Sequence, residues 1–268
     1  MRKALILGLA LVFVLGMTTM VGAHTNGPWY VDTSPYFNLE LDYNAEIMQL
    51  GNNDTAAIDQ DGDHHAFIGQ GIEITLPGEP VGASENSEAF VDQMGDNNMA
   101  VVGQRGMNNF SNIEQWREDN YAGVGQDGDD MIANIHQNAT DSFVRVSQFG
   151  GAGSEADITQ YGDLNRIRTR QQGNDHFVDV YQGWGTYFNY ATVEQKGDGH
   201  EAYVTQGGGE RLANRNGVLI DQDGEDNYAK ATQFGTLNAA VIEQDAIGLS
   251  AVTFQDGDNN DANINQSN

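Results

Sequence analysis

From Ala45 to Gln266 the chain alternates. Small or aliphatic residues stand at every second position, variable residues stand between them, and a glutamine closes each short run. The glutamines are Gln49, Gln60, Gln70, Gln93, Gln104, Gln115, Gln126, Gln137, Gln148, Gln160, Gln171, Gln182, Gln195, Gln206, Gln222, Gln233, Gln244, Gln255 and Gln266, and thirteen of the eighteen intervals are eleven residues long. Two residues before the glutamine stands Ile or Val, as at Ile58, Val91, Ile135 and Ile242; four before it stands a small residue, as at Ala89, Ala156 and Ala229. Six before it stands Asn or Ser, as at Asn98, Asn109, Asn120, Asn165, Asn189, Asn216, Asn227, Asn238, Asn260, Ser87, Ser142 and Ser154. A period of two belongs to strands, in which alternate side chains share one face.

The intervening positions obey no rule: Met99, Val101 and Gly103 follow Asn98, whereas Tyr228, Lys230 and Thr232 follow Asn227. One constrained face and one free face are what burial and solvation leave behind. Two residues past most glutamines comes Gly, as at Gly95, Gly106, Gly173 and Gly224, which supplies the positive φ of a tight turn. Arg117, Ala139 and Ala246 break that rule, and Asp54, Met131 and Leu249 stand where Asn or Ser is expected. Each unit is thus a strand of about six or seven residues and a turn. The pattern predicts an all-β chain, a flattened parallel β-solenoid of stacked strand-turn-strand coils. Nineteen anchors give nine or ten coils, and a coil spacing of ~4.8 Å gives a rod roughly 45 Å long. Stacked Asn and Gln side chains are expected to hydrogen-bond along the rod, which offsets the cost of burying amides.

That expectation resolves an otherwise awkward composition. Gly numbers 33, Pro 4 and Cys 0, and 12 Lys and Arg stand against 39 Asp and Glu. Aliphatic residues are too sparse for one thick core, and no disulfide framework is possible. Arg2 and Lys3, the apolar run Ala4–Leu15 and the Val21-Gly22-Ala23 site read as a Sec signal peptide over residues 1–23. Its loss removes two of the 12 basic residues and no acidic one, leaving 10 against 39 and a net charge of −29. Such a chain repels nucleic acid and anionic membranes, and no later stretch is apolar enough for membrane insertion.

The frame from Ser87 through Gln93, Gly95, Asn97, Asn98 and Ala100 to Gln104 resembles the curlin repeat of curli fibre subunits, and the resemblance extends over residues 45–266. It implies a structural subunit of a functional amyloid with cross-β architecture, a fibre homopolymer secreted to the outer surface of a Gram-negative-type bacterium. It also implies a role in adhesion and biofilm matrix. The implied partners are the chain itself, a nucleator subunit, an outer-membrane export pore and periplasmic chaperones. The last unit is regular and free of Lys and Arg, which resembles the major subunit more than the nucleator. The familiar subunits have about half as many repeats. Residues 24–44 carry no repeat and read as an export or docking segment or a cap, with 45–268 as the solenoid. Leu76–Ala83, bearing two prolines, interrupts the frame, and the intervals before Gln195 and Gln222 carry two and five extra residues, read as bulged turns.

Other functions find less in the residues. Acidic turns such as Asp61-Gly-Asp63 and Asp256-Gly-Asp258 suggest a second reading, a monomeric β-solenoid adhesin or weak calcium-binding surface protein, yet none completes a known calcium loop. Of the histidines, His176 and His200 occupy the Asn slot and His136 the free face. No cofactor site, metal site or catalytic grouping emerges, and no carboxylates cluster outside the repeat frame as a solenoid enzyme would require. A monomer should cap its ends with non-repeating segments, whereas here the frame runs on through Asn260, Ala262, Ile264 and Gln266. That strand is the expected assembly edge, docking head-to-tail on the Tyr43–Gln60 coil of a neighbour.

Overall fold

The computed structural model describes residues 44–49, 51–62, 64–70, 84–208 and 213–267. The leader, residues 24–43 of the non-repeat segment and the Leu76–Ala83 insertion lie outside the described residues. Every element described is a strand or a turn, and every paired strand is parallel to its neighbour. The chain is a β-solenoid.

Twelve strands form the first sheet, the short Gly51–Asn52 and Ser84–Glu85 and ten long ones: Asn44–Gln49, His64–Gln70, Asn98–Met107, Tyr121–Asp129, Phe143–Ala152, Arg166–Asn174, Tyr190–Asp198, Gly217–Glu225, Ala239–Ile247 and Asp261–Ser267. Ten form the second, the short Ala213–Asn214 and nine long ones: Thr55–Asp61, Glu88–Asp96, Phe110–Glu118, Ile132–Thr140, Glu155–Asp163, Phe177–Gln182, Glu201–Gln206, Tyr228–Thr236 and Ser250–Asp256. The chain alternates between the sheets, so each strand pairs with the one a full coil away. In every pairing of two long strands glutamine lies on glutamine, as in Gln104 on Gln126 and Gln137 on Gln160. The repeat frame is therefore a register: a slip of one residue would expose the whole inner set.

The core is one side chain deep from each sheet. Ala89, Ala100, Ile113, Ile135, Val146, Ile158, Val193, Ile220 and Ile242 are buried between the sheets. Val101 is half-buried on the outer face and Lys230 is exposed there, whereas Gln104 and Gln233 point inward and are buried. Thr169 and Thr253 replace the aliphatic residue, filling the space of a valine with a hydroxyl that has no partner.

Each regular arc takes left-handed φ twice. The first is the Gly slot, as at Gly95 (φ 116°) and Gly197 (φ 121°); Arg117 holds it at φ 77°, while Ala139 and Ala246 turn without positive φ. The second lies immediately before the Asn slot, at Asn97, Asn108, Asp119 and Asp141, all of which tolerate it, but also at Leu164, Leu237 and Phe188, which do not do so readily. The coils above and below fix the arc strongly enough to hold residues that would avoid it alone. The longer arc before Gln195 tucks Thr186 inside, where its hydroxyl donates to Gly183 O (2.7 Å), with Tyr161 O 3.0 Å away as the alternative acceptor.

Candidate assembly surface

The first glutamine column runs Gln49, Gln70, Gln104, Gln126, Gln148, Gln171, Gln195, Gln222, Gln244 and Gln266. Each Nε2 donates to Oε1 of the next, at 2.8–3.2 Å. The second runs Gln60, Gln93, Gln115, Gln137, Gln160, Gln182, Gln206, Gln233 and Gln255 with the same polarity, at 2.7–2.9 Å. A second Nε2 hydrogen often crosses to the facing sheet, as from Gln104 to Glu88 O at 3.0 Å. A buried amide needs both ends satisfied, and an unbroken column satisfies them with copies of itself.

The asparagine column works differently from the ladder that the repetition suggests. Asn98 Nδ2 donates to the carbonyls of Met94 (3.3 Å) and Arg117 (2.8 Å), and its Oδ1 accepts the backbone N–H of Asn120 (3.0 Å). Asn109, Asn227 and Asn238 repeat this three-bond arrangement. Asn120, Asn165, Asn189 and Asn216 likewise give Oδ1 to the N–H of the next coil's slot residue. The side chain is too short to reach its copy and instead ties two arcs together through their backbones. Among the described residues, only at Asn260 does an Asn amide donate to another, Asn238 Oδ1 at 3.0 Å.

The buried histidines belong to this column. His176 and His200 fill the Asn slot as the sequence indicates, and His64, a histidine the repeat frame does not place by name, fills it too. Its place six residues before Gln70 was the available signal. In each, Nδ1 lies 3.2–3.4 Å from the next coil's N–H, which donates to it, and Nε2 lies 3.0–3.1 Å from an arc carbonyl. This geometry requires the neutral Nε2–H tautomer, because a proton on Nδ1 would face a donor. The rings of His176 and His200 stack at 5.1 Å, and burial first, then the neighbouring His200, pushes His176 below its ordinary value, against the Gln172 carbonyl and the carboxylates of Asp198 and Asp175. A depressed folded value means that this stabilisation is complete above about pH 6.5 and is lost as pH falls through the folded value. The H176N variant should lack this acid sensitivity, since Asn makes the same bonds without titrating. Denaturant midpoints between about pH 7 and 5 would show it, and parallel slopes for variant and wild type would disprove it.

The acidic turns hydrogen-bond along the stack. Asp129, Asp198 and Asp258 accept the N–H of Met107, Asn174 and Thr236 at 2.8, 3.1 and 2.8 Å. Among the described residues no three His, Asp or Glu side chains converge to hold a metal.

At both ends of the described stack the inner face is partly bare. Ile242 is fully buried, but its register partner Ile264 is half-exposed, as are Asn260, Ala262 and Gln266. At the other end Ile68 is buried and its partner Ile47 is 43% exposed. Gln49 Oε1 and Gln60 Oε1 begin columns whose far ends are the amides of Gln266 and Gln255.

The family model described as curlin associated repeat matches residues 85–115, 151–183, 187–209 and 213–245. No curated protein matches the chain.

Proposed function

We propose that this curlin-repeat chain is a curli-type fibre subunit that polymerises end to end into an extracellular amyloid fibre serving adhesion and biofilm matrix. The observation that carries this reading is the pair of bare ends. Ile47 and Ile264 are inner-face residues of the same kind as those buried in the middle of the stack, and they lack only a further coil. The columns have one polarity, so an amide end meets an acceptor end when two copies stack head to tail, with the coil bearing Gln266 on the coil bearing Gln49 and Gln60. Parallel strand edges offer unpaired backbone groups in the same sense. A contact between two different surfaces does not close on itself and yields a filament. The same reading makes the chain a structural protein without cofactor or catalysis, secreted by removal of residues 1–23, with nucleator, export pore and chaperones as partners.

The test is polymerisation of residues 24–268, followed by thioflavin fluorescence and electron microscopy. I264P removes a donor from the outer edge and should leave the inner coils intact. Its elongation should fall at least tenfold, the equivalent of about 1.4 kcal/mol at the docking contact. Wild-type growth in I264P would remove this strand as a growth surface, and a wild-type chain that forms no fibres would remove the function.

A further inference from the structure

A strongly acidic rod carries one basic island. Four of the ten Lys and Arg beyond the leader, Arg145, Arg166, Arg168 and Arg170, lie on the outer face of the first sheet in two adjacent strands. Arg145 and Arg168 are register partners, an arrangement of like charges that destabilises a sheet. Arg170 lies over the ring of Phe149, 4.9 Å from its centroid. The opposite face bears the mirror problem at the same height. Glu155 and Asp157 lie on one strand of the second sheet, and Asp179 is the register partner of Asp157. Burial first and Asp157 second raise the carboxyls of Glu155 and Asp179 above their ordinary values. Each cluster also meets an opposite charge on its own face, Glu194 as the register partner of Arg170 and Lys230 near Asp179.

The two clusters match in position. Phe143–Ala152, Glu155–Asp163, Arg166–Asn174 and Phe177–Gln182 follow one another in the chain, so the clusters occupy the same two coils. Facing strands run in opposite directions: Gln171, at the end of one strand, donates to the carbonyl of Glu155, at the start of the facing one, at 2.9 Å. Arg170 and Glu155 therefore lie at the same lateral edge, while Arg145, Arg168, Asp157 and Asp179 all lie mid-strand. A second rod, translated sideways without rotation, sets the first sheet of one against the second sheet of the other. Opposite charges then meet. The same translation brings Phe110 toward Gly103 and Gly125, outer positions that have open space where a side chain would be.

We propose that rods of this chain pack side by side in axial register, with Arg145, Arg168 and Arg170 of one copy on Asp157, Asp179 and Glu155 of the next. The surfaces differ, so the contact propagates as a layered bundle. This rests on the end-to-end reading only where the rods are already filaments; the contact itself is between single subunits.

The test compares wild type, R145E/R168E, D157K/D179K and the four-fold combination, all as residues 24–268. Filament width is measured by electron microscopy at about 0.01 M salt, where charges act over ~30 Å, and at about 1 M, where they act over ~3 Å. Wild type should bundle at low salt and separate at high salt. Each two-fold variant should give single-width filaments with elongation unchanged, and the combination, with both faces reversed, should bundle again. Bundling by R145E/R168E at low salt, or failure of the combination, overturns the proposal. If the chains form no filaments, the end-to-end reading fails, and sedimentation decides the lateral contact by whether wild type forms a salt-sensitive dimer that R145E/R168E does not. Single-width wild-type rods that bind polyuronate through these arginines would overturn the proposal in favour of an acidic polysaccharide.

Discussion

Replacing Gln160 with leucine should destabilise the rod by about 2–6 kcal/mol, although leucine is the more apolar side chain. Gln137 Nε2 donates to Gln160 Oε1 at 2.9 Å, and Gln160 Nε2 donates to Gln182 Oε1 at 2.9 Å. All three side chains are fully buried. The substitution orphans a donor on one side and an acceptor on the other, each costing about 1–3 kcal/mol, and water cannot reach either. Leucine's own burial returns part of this. At the end of the stack the balance changes: Gln60 is half-buried and has a single ladder partner, Gln93 at 2.8 Å, so Q60L orphans one group instead of two and should cost about 1–3 kcal/mol. Denaturant unfolding would give both values, with hydrogen exchange locating the loss in the coils around Gln160. Equal costs at the two positions would refute the ladder as the source of stability.

Replacing Gly197 with alanine should cost about 3 kcal/mol or more, through a mechanism unrelated to hydrophobicity. Its φ is 121°, and a Cβ there would overlap the carbonyl oxygen of Gly224 in the next coil. The backbone penalty alone is about 1–3 kcal/mol, and relieving the overlap requires the coils to separate. G217A is the control: that glycine lacks positive φ and has open space at its Cβ, so it should stabilise by about 0.4–1 kcal/mol. Gly257 links the same physics to assembly. Its φ is 124°, but a Cβ would meet nothing nearer than Asn260 Nδ2 at 3.6 Å. In the single rod G257A should therefore cost only the backbone penalty, whereas a copy stacked on that end would meet the methyl group. A melting temperature lowered less than in G197A, with slowed elongation, is the expected result. Unchanged elongation would place the growth contact elsewhere.

Much of this was legible in the chain itself, for a reason specific to stacked coils. Each slot is covered above and below by copies of the same slot, so two successive glutamine intervals make up the distance between contacting residues, as from Gln104 to Gln126. The alternation before Gln104 and Gln233 gave the face and register directly, because one face must exclude water along the whole rod. The asparagine slot was legible as a position but not as a chemistry. A short amide and a long amide repeat equally well in sequence, and only the backbone geometry shows that Asn98 bonds to arcs while Gln104 bonds to its copies. The second left-handed position was hidden because Leu164, Leu237 and Phe188 hold it through the surrounding stack and not through their own preference.

What the sequence by itself determined is the repeating unit: strand, turn, inner and outer face, and the identity of the stacked pairs. These follow from periodicity and side-chain size, which are local properties. Tertiary structure decided the relations between residues that share no slot. His64 makes the asparagine's bonds only as a neutral ring between two coils. Arg170 and Glu155 stand fifteen residues apart in the chain, on opposite faces of the rod at one edge, because facing strands run in opposite directions. No spacing rule encodes that relation, since it arises only when the chain has turned back on itself.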